Sequence, residues 1–279
     1  MIRVILQGRT GNNLFQYAAG RALSERHQVP LVLDGSWVNP SQESTFRHLL
    51  RLPIKACYEN SLSPIKRLSR RLFDTGPLNF YKGEMIVDPD NGVVPDLSQA
   101  GAQTVLIGFF QSPLHFKGLE KALKEELDLN TLELPADSRR FEEALRSKPT
   151  VSIHVRRGDY LAISNTQCLS ENYHEEAIRR FRERHEEIRF CVFSDDIGWC
   201  RKQFVGNEFL FCDFPIGHQD PLHDMRLMST CHHHIIVNSS YSWWGAWLNT
   251  HTGQKVIAPK TWMRGTPSEF IIPESWVTL

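Results

Sequence analysis

The sequence predicts an α/β protein with two Rossmann-like domains that face a cleft, each a parallel sheet with helices on both faces. Two observations predict this fold class. Short strands rich in β-branched residues alternate with amphipathic helical segments, which is the pattern of βαβ units. Polar clusters also follow several strands directly, as expected where ligands bind at the carboxyl ends of parallel strands. The strand-rich pattern restarts at Val151, so we expect domains over residues 1–148 and 149–279.

The composition is that of an ordinary globular protein, with 41% hydrophobic and 23% charged residues. Lys and Arg together number 32, as do Asp and Glu, so the formal net charge is zero. No overall field therefore favours a nucleic-acid partner, and any anion site has to be local.

Several features bear on the compartment. Six cysteines are scattered without CxxC or zinc-type spacing, which favours a reducing environment. The chain begins on a predicted strand without the regions of a secretory signal, and no run of 18 apolar residues occurs. We therefore expect a cytoplasmic protein. The basic segment 64–73 is either a solvated helix face or a peripheral contact with an anionic membrane.

The first half opens on a predicted strand, and a helix is predicted to begin at Leu14. The turn between them contains Gly11, Asn12 and Asn13. Free backbone N–H groups at the start of the helix suit a phosphate or a sugar hydroxyl. The turn is not a P-loop, because no Gly-Lys-Ser/Thr follows it.

Three predicted strands of the second half, 151–155, 189–193 and 234–237, end in polar clusters. Together, on one edge of one sheet, these clusters describe a pocket. The candidate residues at the three strand ends are His154, Arg156, Arg157, Asp159, Asp195, Asp196, Asn238, Ser239, Ser240, Tyr241 and Ser242.

The chemistry of these residues leaves alternatives open. The adjacent guanidiniums of Arg156 and Arg157 are either bidentate donors to phosphate oxygens or half of a structural Arg–Asp pair. Asp195 and Asp196 either accept hydrogen bonds from ribose hydroxyls or a guanine edge, or cap a helix. The serines that follow the third strand either cap a helix or, with its N–H groups, bind an anion.

Three tryptophans, Trp243, Trp244 and Trp247, follow the last of these clusters at positions i, i+1 and i+4. This spacing is typical of a core helix, and a sugar-stacking platform is the alternative.

The stretches GRTGNNLFQYAAGRALS, GFFQS, HVRRGDY, FSDD, PLHDMRLMSTCHHHIIVNSSYSWWGAWLN and APKTW…IIPESW occur in this order between the N-terminus and residue 276. In these motifs the chain resembles the bacterial α-1,2-fucosyltransferases of glycosyltransferase family 11. The resemblance implies a GT-B fold and a role in bacterial glycan or O-antigen biosynthesis. It implies transfer of L-fucose from GDP-β-L-fucose to the 2-hydroxyl of a terminal galactose, with inversion.

The resemblance also implies roles for single residues. The HxRRxD motif is shared with α-1,6- and protein O-fucosyltransferases, in which its first arginine meets the β-phosphate of the donor. Arg156 is then the phosphate clamp, and His154 lies near the guanine. The Gly11-Asn12-Asn13 turn is similar to the family's Gly-Asn-Gln, so Asn13 departs from the pattern while the backbone role is kept.

Cleavage of a sugar–diphosphate bond leaves negative charge on the β-phosphate, which arginines and helix N-termini can stabilise without a metal. We expect no metal cofactor. Asp88 and Asp90 match a bare DxD pattern, but DPDNG is also a standard turn composition. His232–His234 have no partner ligand spacing, and neighbouring side chains point apart.

An inverting mechanism requires a base near the acceptor hydroxyl. Asp159 is the best-placed carboxylate in the sequence for this role. Its alternative role is to orient Arg156 or Arg157. Two other functions also fit the motifs. A lectin-like module would bind galactosides without catalysis, and a different nucleotide-sugar transferase or a pyrophosphate hydrolase would use the same anion site.

Overall fold

The computed structural model describes residues 1–36, 47–60, 81, 83–89, 91–158, 169–170, 172–184, 187–214, 220–263 and 266–279. The chain divides into two compact units, Met1–Asp128 and Leu129–Leu279. Each unit is built on its own parallel sheet, as the alternation of strands and helices predicts.

The first unit contains a parallel sheet of five strands within the described residues. The strands are β1 (Ile2–Ile5), β2 (Leu31–Asp34), β3 (Cys57–Glu59), β4 (Glu84–Val87) and β5 (Thr104–Ile107). Their order across the sheet is β3-β2-β1-β5-β4, so the order reverses between β1 and β5. Every residue of β1, β2 and β5 is buried, as expected for the inner strands of a covered parallel sheet.

Helix α1 (Thr10–His27) follows β1 and begins four residues before the predicted start at Leu14. Gly11, Asn12 and Asn13 therefore form its first turn instead of a separate loop. A short helix, α2 (Glu120–Glu126), is tied to α1 through Glu126, which accepts hydrogen bonds from the Tyr17 hydroxyl (2.5 Å) and the Arg21 guanidinium (3.1 Å). All three side chains are buried, so their charges are satisfied within the unit.

The second unit contains a parallel sheet of six strands among the described residues, in the order β8-β7-β6-β9-β10-β13. Numbered along the unit, this is the Rossmann strand order 3-2-1-4-5-6. The strands are β6 (Thr150–Val155), β7 (Arg189–Ser194), β8 (Phe209–Phe211), β9 (His233–Ile235), β10 (Val256–Ala258) and β13 (Val277–Thr278). A small antiparallel pair, β11 (Thr261–Met263) and β12 (Thr266–Pro267), precedes β13.

Helices cover both faces of this second sheet. They are α3 (Ala136–Arg146), α4 (Tyr173–Arg182), α5 (Ile197–Gln203), α6 (Pro221–Thr230) and α7 (Ser240–Trp247). Alternate residues of β7 point to opposite faces, and Phe190 and Val192 pack with residues of α4 and α5. Cys191 and Phe193 pack on the other face with residues of α3 and α6.

The boundary between the units falls at 128/129, whereas the strand pattern led us to expect it at 148/149. The two boundaries differ because helix α3 belongs to the second unit, to which apolar contacts and an ion pair attach it. Leu145 lies in the core with α6, and the Glu142 carboxylate forms two 2.9 Å hydrogen bonds with the Arg226 guanidinium. Hydrophobic periodicity predicts the helix but carries no information about the sheet on which it packs.

The tryptophans of α7 lie in the core. Trp243 and Trp244 are fully buried, and the Trp243 indole N–H donates to the Ile271 carbonyl at 2.8 Å. Trp247 stacks on Trp243 with ring centroids 5.9 Å apart. Of the two alternatives, the structure has the core helix, so these rings anchor α7 against the end of the chain.

No helix among the described residues combines the length and the apolar composition that a membrane crossing requires. The basic segment 64–73, which we considered for a peripheral membrane contact, lies outside the described residues.

The buried pair of Glu142 and Arg226 generates a stability prediction. Both side chains are nearly inaccessible, with 11% and 14% exposed. Burial alone would raise the pKa of Glu142, but the hydrogen bonds and charge of Arg226 hold it below its ordinary value. We expect Arg226→Met to cost about 3 kcal/mol in the free energy of unfolding, because the buried carboxylate of Glu142 keeps only the exposed Arg146 and the Thr230 hydroxyl as partners.

Urea unfolding measures this change, and Arg140→Met is the matched control. Arg140 lies on α3 and pairs with Asp137, but both are exposed, so we expect a loss below about 1 kcal/mol. The double variant Glu142→Leu/Arg226→Met should recover most of the stability, because it removes both charges. Equal losses for Arg226→Met and Arg140→Met would contradict the prediction.

Candidate functional site

The candidate site lies where the strand order of the second sheet reverses, between β6 and β9. Ligands of open α/β sheets bind outside the carboxyl ends of the strands at such a point. Arg156, Arg157 and Gly158 follow β6 directly, Asp195 and Asp196 follow β7, and residues 236–239 join β9 to α7. The parallel register of β6 with both β7 and β9 brings these three segments to one edge of the sheet.

Asp195 holds the segment that follows β6. Its carboxylate accepts the backbone N–H groups of Arg157 at 2.9 Å and of Gly158 at 3.1 Å, and it lies 3.3 Å from Nε of Arg156. A Cβ on residue 158 would lie 2.8 Å from Oδ2 of Asp195, so only glycine fits without a shift. The Arg156 side chain remains 21% exposed, so a fixed loop presents a cation at the end of the strand.

The Arg157 side chain is held by two contacts within the second unit. Its guanidinium carbon lies 3.9 Å from the centre of the Trp199 ring, and its Nε lies 3.3 Å from Oδ2 of Asp196. The other oxygen of Asp196 accepts the Trp199 backbone N–H at 3.0 Å, which caps α5. Both neighbouring arginines therefore have an aspartate partner at 3.3 Å, which is the structural pairing that the sequence left as an alternative. Arg157 differs in that its guanidinium also lies over the Trp199 ring.

His154 lies on β6, two residues before Arg156, and is 5% exposed. Burial, with the charges of Arg156 and His174, lowers the pKa of His154 to about 3, so its imidazole is neutral at pH 7. Its ring centroid lies 5.8 Å from that of Tyr241. Within the described part of the chain, its buried Nδ1 has no hydrogen-bond partner. Buried nitrogens are normally hydrogen-bonded, so a hydrogen bond to a ligand atom would stabilise this one.

Asp224 on α6 is a candidate that the sequence reasoning missed. Burial, followed by the neighbouring charge of Asp220, raises the pKa of Asp224 to about 6, although the Cys212 thiol donates to it at 3.7 Å. Asp224, Asp220 and Arg156 also act electrostatically on Tyr241, whose hydroxyl donates to the Pro221 carbonyl at 2.6 Å. Among the described residues, no cationic side chain forms an ion pair with this half-buried carboxylate, and groups with strongly perturbed pKa values cluster at functional sites.

The segment between β9 and α7 contributes both structural and accessible polar groups. Asn238 donates from Nδ2 to the Trp262 carbonyl at 2.9 Å, and the fully buried Ser242 donates to the Ser239 carbonyl at 3.2 Å. Ser239 is the N-cap residue of α7, but its side chain does not cap the helix. Ser240 is half-buried in the first turn of the helix. The backbone and hydroxyls of Ser239 and Ser240 are thus the part of this segment that suits an anion.

The other predicted residues lie elsewhere. Gly11, Asn12 and Asn13 belong to the first unit, where the Asn13 amide donates to the Gln7 carbonyl at 2.9 Å and to the side-chain oxygen of Gln16 at 3.0 Å. Asn13 is 1% exposed, so its side chain braces the end of β1.

Asp159 lies outside the described residues, and so does Asp90 of the DxD pattern. Asp88 accepts the backbone N–H of Phe110 at 2.5 Å. Among the residues that the structure describes, no three His, Cys, Asp or Glu side chains are grouped to hold a metal ion. His234 instead bridges Ser152 (2.7 Å) and Asn249 (2.6 Å) in the core.

The chain is similar to known glycosyltransferases. Residues 98–277 match the model of Glycosyl transferase family 11. An alpha-1,2-colitosyltransferase of Escherichia coli is 33% identical, over 98% of this chain and 97% of the relative. The galactoside 2-alpha-L-fucosyltransferase SEC1 of Bos taurus is 24% identical, over 87% of this chain and 62% of the relative.

Among solved structures, the E. coli ADP-heptose lipopolysaccharide heptosyltransferase II matches all of this chain and 89% of that chain, with a TM-score of 0.52 and 11% identity. At this identity the likeness concerns the fold alone. Together with the two parallel sheets, it confirms the predicted GT-B class with two Rossmann-like units. The match to the family model and the similarity to the full-length relative show that the chain belongs to glycosyltransferase family 11.

Proposed function

We propose that this glycosyltransferase moves L-fucose from GDP-β-L-fucose to the 2-hydroxyl of a terminal galactose, with inversion and without a metal ion. In the reaction, the acceptor oxygen forms a bond to the anomeric carbon, and the bond from that carbon to the β-phosphate oxygen breaks. GDP leaves with the bonding electrons, and the acceptor proton passes to a base. Colitose lacks one hydroxyl of fucose, and the relative described as a colitosyltransferase makes GDP-colitose the second candidate donor.

The observation that carries the proposal is the fixed, partly exposed Arg156 at the switch point of a Rossmann sheet. Negative charge develops on the β-phosphate as the sugar leaves, and a preorganised cation stabilises that charge without rearranging. Asp195 preorganises the cation, because it fixes the loop through two backbone N–H groups and meets the guanidinium itself. The start of α7 at Ser239 and Ser240 offers further N–H groups to the diphosphate.

The guanine is proposed to bind between His154 and Asp224. A guanine edge carries N–H donors that suit a carboxylate, and acceptors that suit an N–H of a neutral imidazole. Within the described part of the chain, Nδ1 of His154 is unpaired and would gain a hydrogen bond from a base, and Asp224 has the weakly donating Cys212 thiol and would gain stronger donors. The ring of Tyr241 lies beside His154 and is proposed to line the same pocket.

The absence of a metal requirement and the role of Asp159 as base remain proposals from the sequence. The experiment that tests the whole function supplies GDP-fucose, GDP-colitose, a UDP-sugar and an ADP-sugar with a panel of terminal β-galactosides, with and without EDTA. We expect a GDP-sugar to be used, an α-1,2 linkage in the product and no loss of activity in EDTA. Galactoside binding without GDP binding, measured by titration calorimetry, would support the lectin-like module instead.

The first prediction concerns Arg156. We expect Arg156→Ala to lower kcat by about 10²–10³, the typical loss when one donor to a developing anion is removed. The variant should fold, because Asp195 keeps its two backbone donors, and circular dichroism checks this. Arg201→Ala is the control, since Arg201 is an exposed arginine of the same unit paired with Asp213. Near-normal turnover of Arg156→Ala would contradict the proposed role.

The second prediction concerns the pH dependence of stability at Asp224. Its pKa is about 6 in the folded protein and about 3.9 in an unfolded chain, so the folded state binds the proton more tightly. Stability therefore falls as pH rises from about 4 to about 6 and is constant above. We expect Asp224→Asn to raise the melting temperature relative to wild type, with a gain that grows over this window.

The same variant should bind GDP about tenfold or more weakly, because it loses a charged acceptor. Asp137→Asn, at an exposed carboxylate, is the control for both measurements. A stability gain that does not depend on pH, or unchanged GDP affinity, would show that Asp224 has no such role.

A further inference from the structure

The first turn of α4 contacts the chain on both sides of the switch point of the second sheet. The registered pairing of β6 with β9 ends one residue before His154 and Ile236. At these two residues the backbone carbonyls accept hydrogen bonds from side chains of α4. His174 donates to the first carbonyl, and Tyr173 donates to the second. Two consecutive residues of one helix therefore hold the two strand ends at the point where their pairing stops.

Tyr173 makes the more buried of the two contacts. Its side chain is 3% exposed, and its hydroxyl donates to the Ile236 carbonyl at 2.5 Å, with the Ile257 carbonyl at 3.2 Å. The backbone N–H of Ile236 donates to the same Ile257 carbonyl at 2.9 Å, so the hydroxyl lies at the paired ends of β9 and β10. Burial raises the pKa of Tyr173 well above its ordinary value, so the hydroxyl keeps the proton that it donates.

His174 makes the second contact, with Nε2 at 3.1 Å from the His154 carbonyl. A carbonyl only accepts, so Nε2 carries the proton in this hydrogen bond. The imidazole packs edge-on against Phe204, which follows α5, with ring centroids 6.1 Å apart. Burial lowers the pKa of His174, so the ring is neutral at pH 7. The donor to the end of β6 is thus a neutral, packed imidazole.

Short segments connect the two carbonyls to the groups that we propose for the diphosphate. Arg156 lies two residues after His154, directly beyond the pairing of β6 with β7. Ser239 lies three residues after Ile236, and the turn between them is tight, because the Ser239 N–H donates to the Val237 carbonyl at 2.7 Å. A shift of either carbonyl would therefore move the polar group that follows it.

We propose that Tyr173 and His174 are positioning residues, which fix the separation between Arg156 and the start of α7. This inference rests on the proposed binding of the diphosphate by these two groups. A preorganised cation and helix N–H groups stabilise a developing charge only when they are correctly placed, and a displacement of about 1 Å can cost about 10²-fold in rate. Both residues act through backbone carbonyls, so neither is a catalytic residue.

The test measures kcat with GDP-fucose or GDP-colitose, whichever the wild type uses, together with the melting temperature. We expect His174→Leu to lower kcat about tenfold, because the His154 carbonyl loses its donor. His174→Gln should stay within about threefold of wild type, because the glutamine amide keeps an N–H donor. In an Arg156→Ala background, His174→Leu should lower kcat by less than about twofold, because the group that it positions is gone.

Tyr173→Phe tests the other contact, and Tyr17→Phe is its matched control. Tyr17 is also fully buried, and its hydroxyl donates to Glu126 in the first unit at 2.5 Å. Both variants lose one buried hydrogen bond, so both should lower the melting temperature. Only Tyr173→Phe should lower kcat, by about tenfold.

Equal losses of kcat for His174→Leu in the two backgrounds overturn the inference, because they show a role that does not act through Arg156. A Gln variant as slow as the Leu variant overturns it too, as does an unchanged kcat in both His174→Leu and Tyr173→Phe. In each of these cases the wild type still transfers the sugar, so the proposed function stands. A wild type that transfers from no GDP-sugar overturns both.

Discussion

The candidate site depends on one carboxylate. Asp195 accepts two backbone N–H groups of the loop after β6 and forms an ion pair with the Arg156 guanidinium. Glycine at position 158 leaves room for this carboxylate, and the parallel register ends β6 and β7 together. A cation held in this way needs no rearrangement when negative charge develops nearby. Electrostatic catalysis requires such preorganised groups.

Glu142 and Asp224 are two carboxylates of the second unit with different partners and opposite pKa shifts. Glu142 has Arg226 as a bidentate partner, and its pKa is low despite its burial. Asp224 has a thiol and a second acid nearby, and its pKa is raised to about 6. The first arrangement joins two helices. The second destabilises the folded protein at neutral pH, and groups perturbed in this way cluster at functional sites.

The strands and their polar ends could be predicted from the sequence, because β-branched runs and the residues after them are local features. The parallel pairing of β6 with β7 and β9 then brings Arg156, Asp195 and Ser239 to one edge. The role of Asp224 could not be predicted, since its burial depends on how α6 packs in the fold. The same holds for Arg157, because only the fold brings its guanidinium onto Trp199, far along the chain. The boundary at 128/129 places α3 in the second unit, and the contacts of α3 with α6 are between residues far apart in the sequence.

At the carboxyl edge where the strand order reverses, the described polar groups of the two units differ in charge. The second unit offers Arg156 among carboxylates, and the first offers the amides of Asn12 and Gln111 beside Phe109. Phe110 is fully buried with φ of +53°, and the Asp88 carboxylate accepts its N–H, so the surrounding fold fixes a backbone conformation that a side chain disfavours.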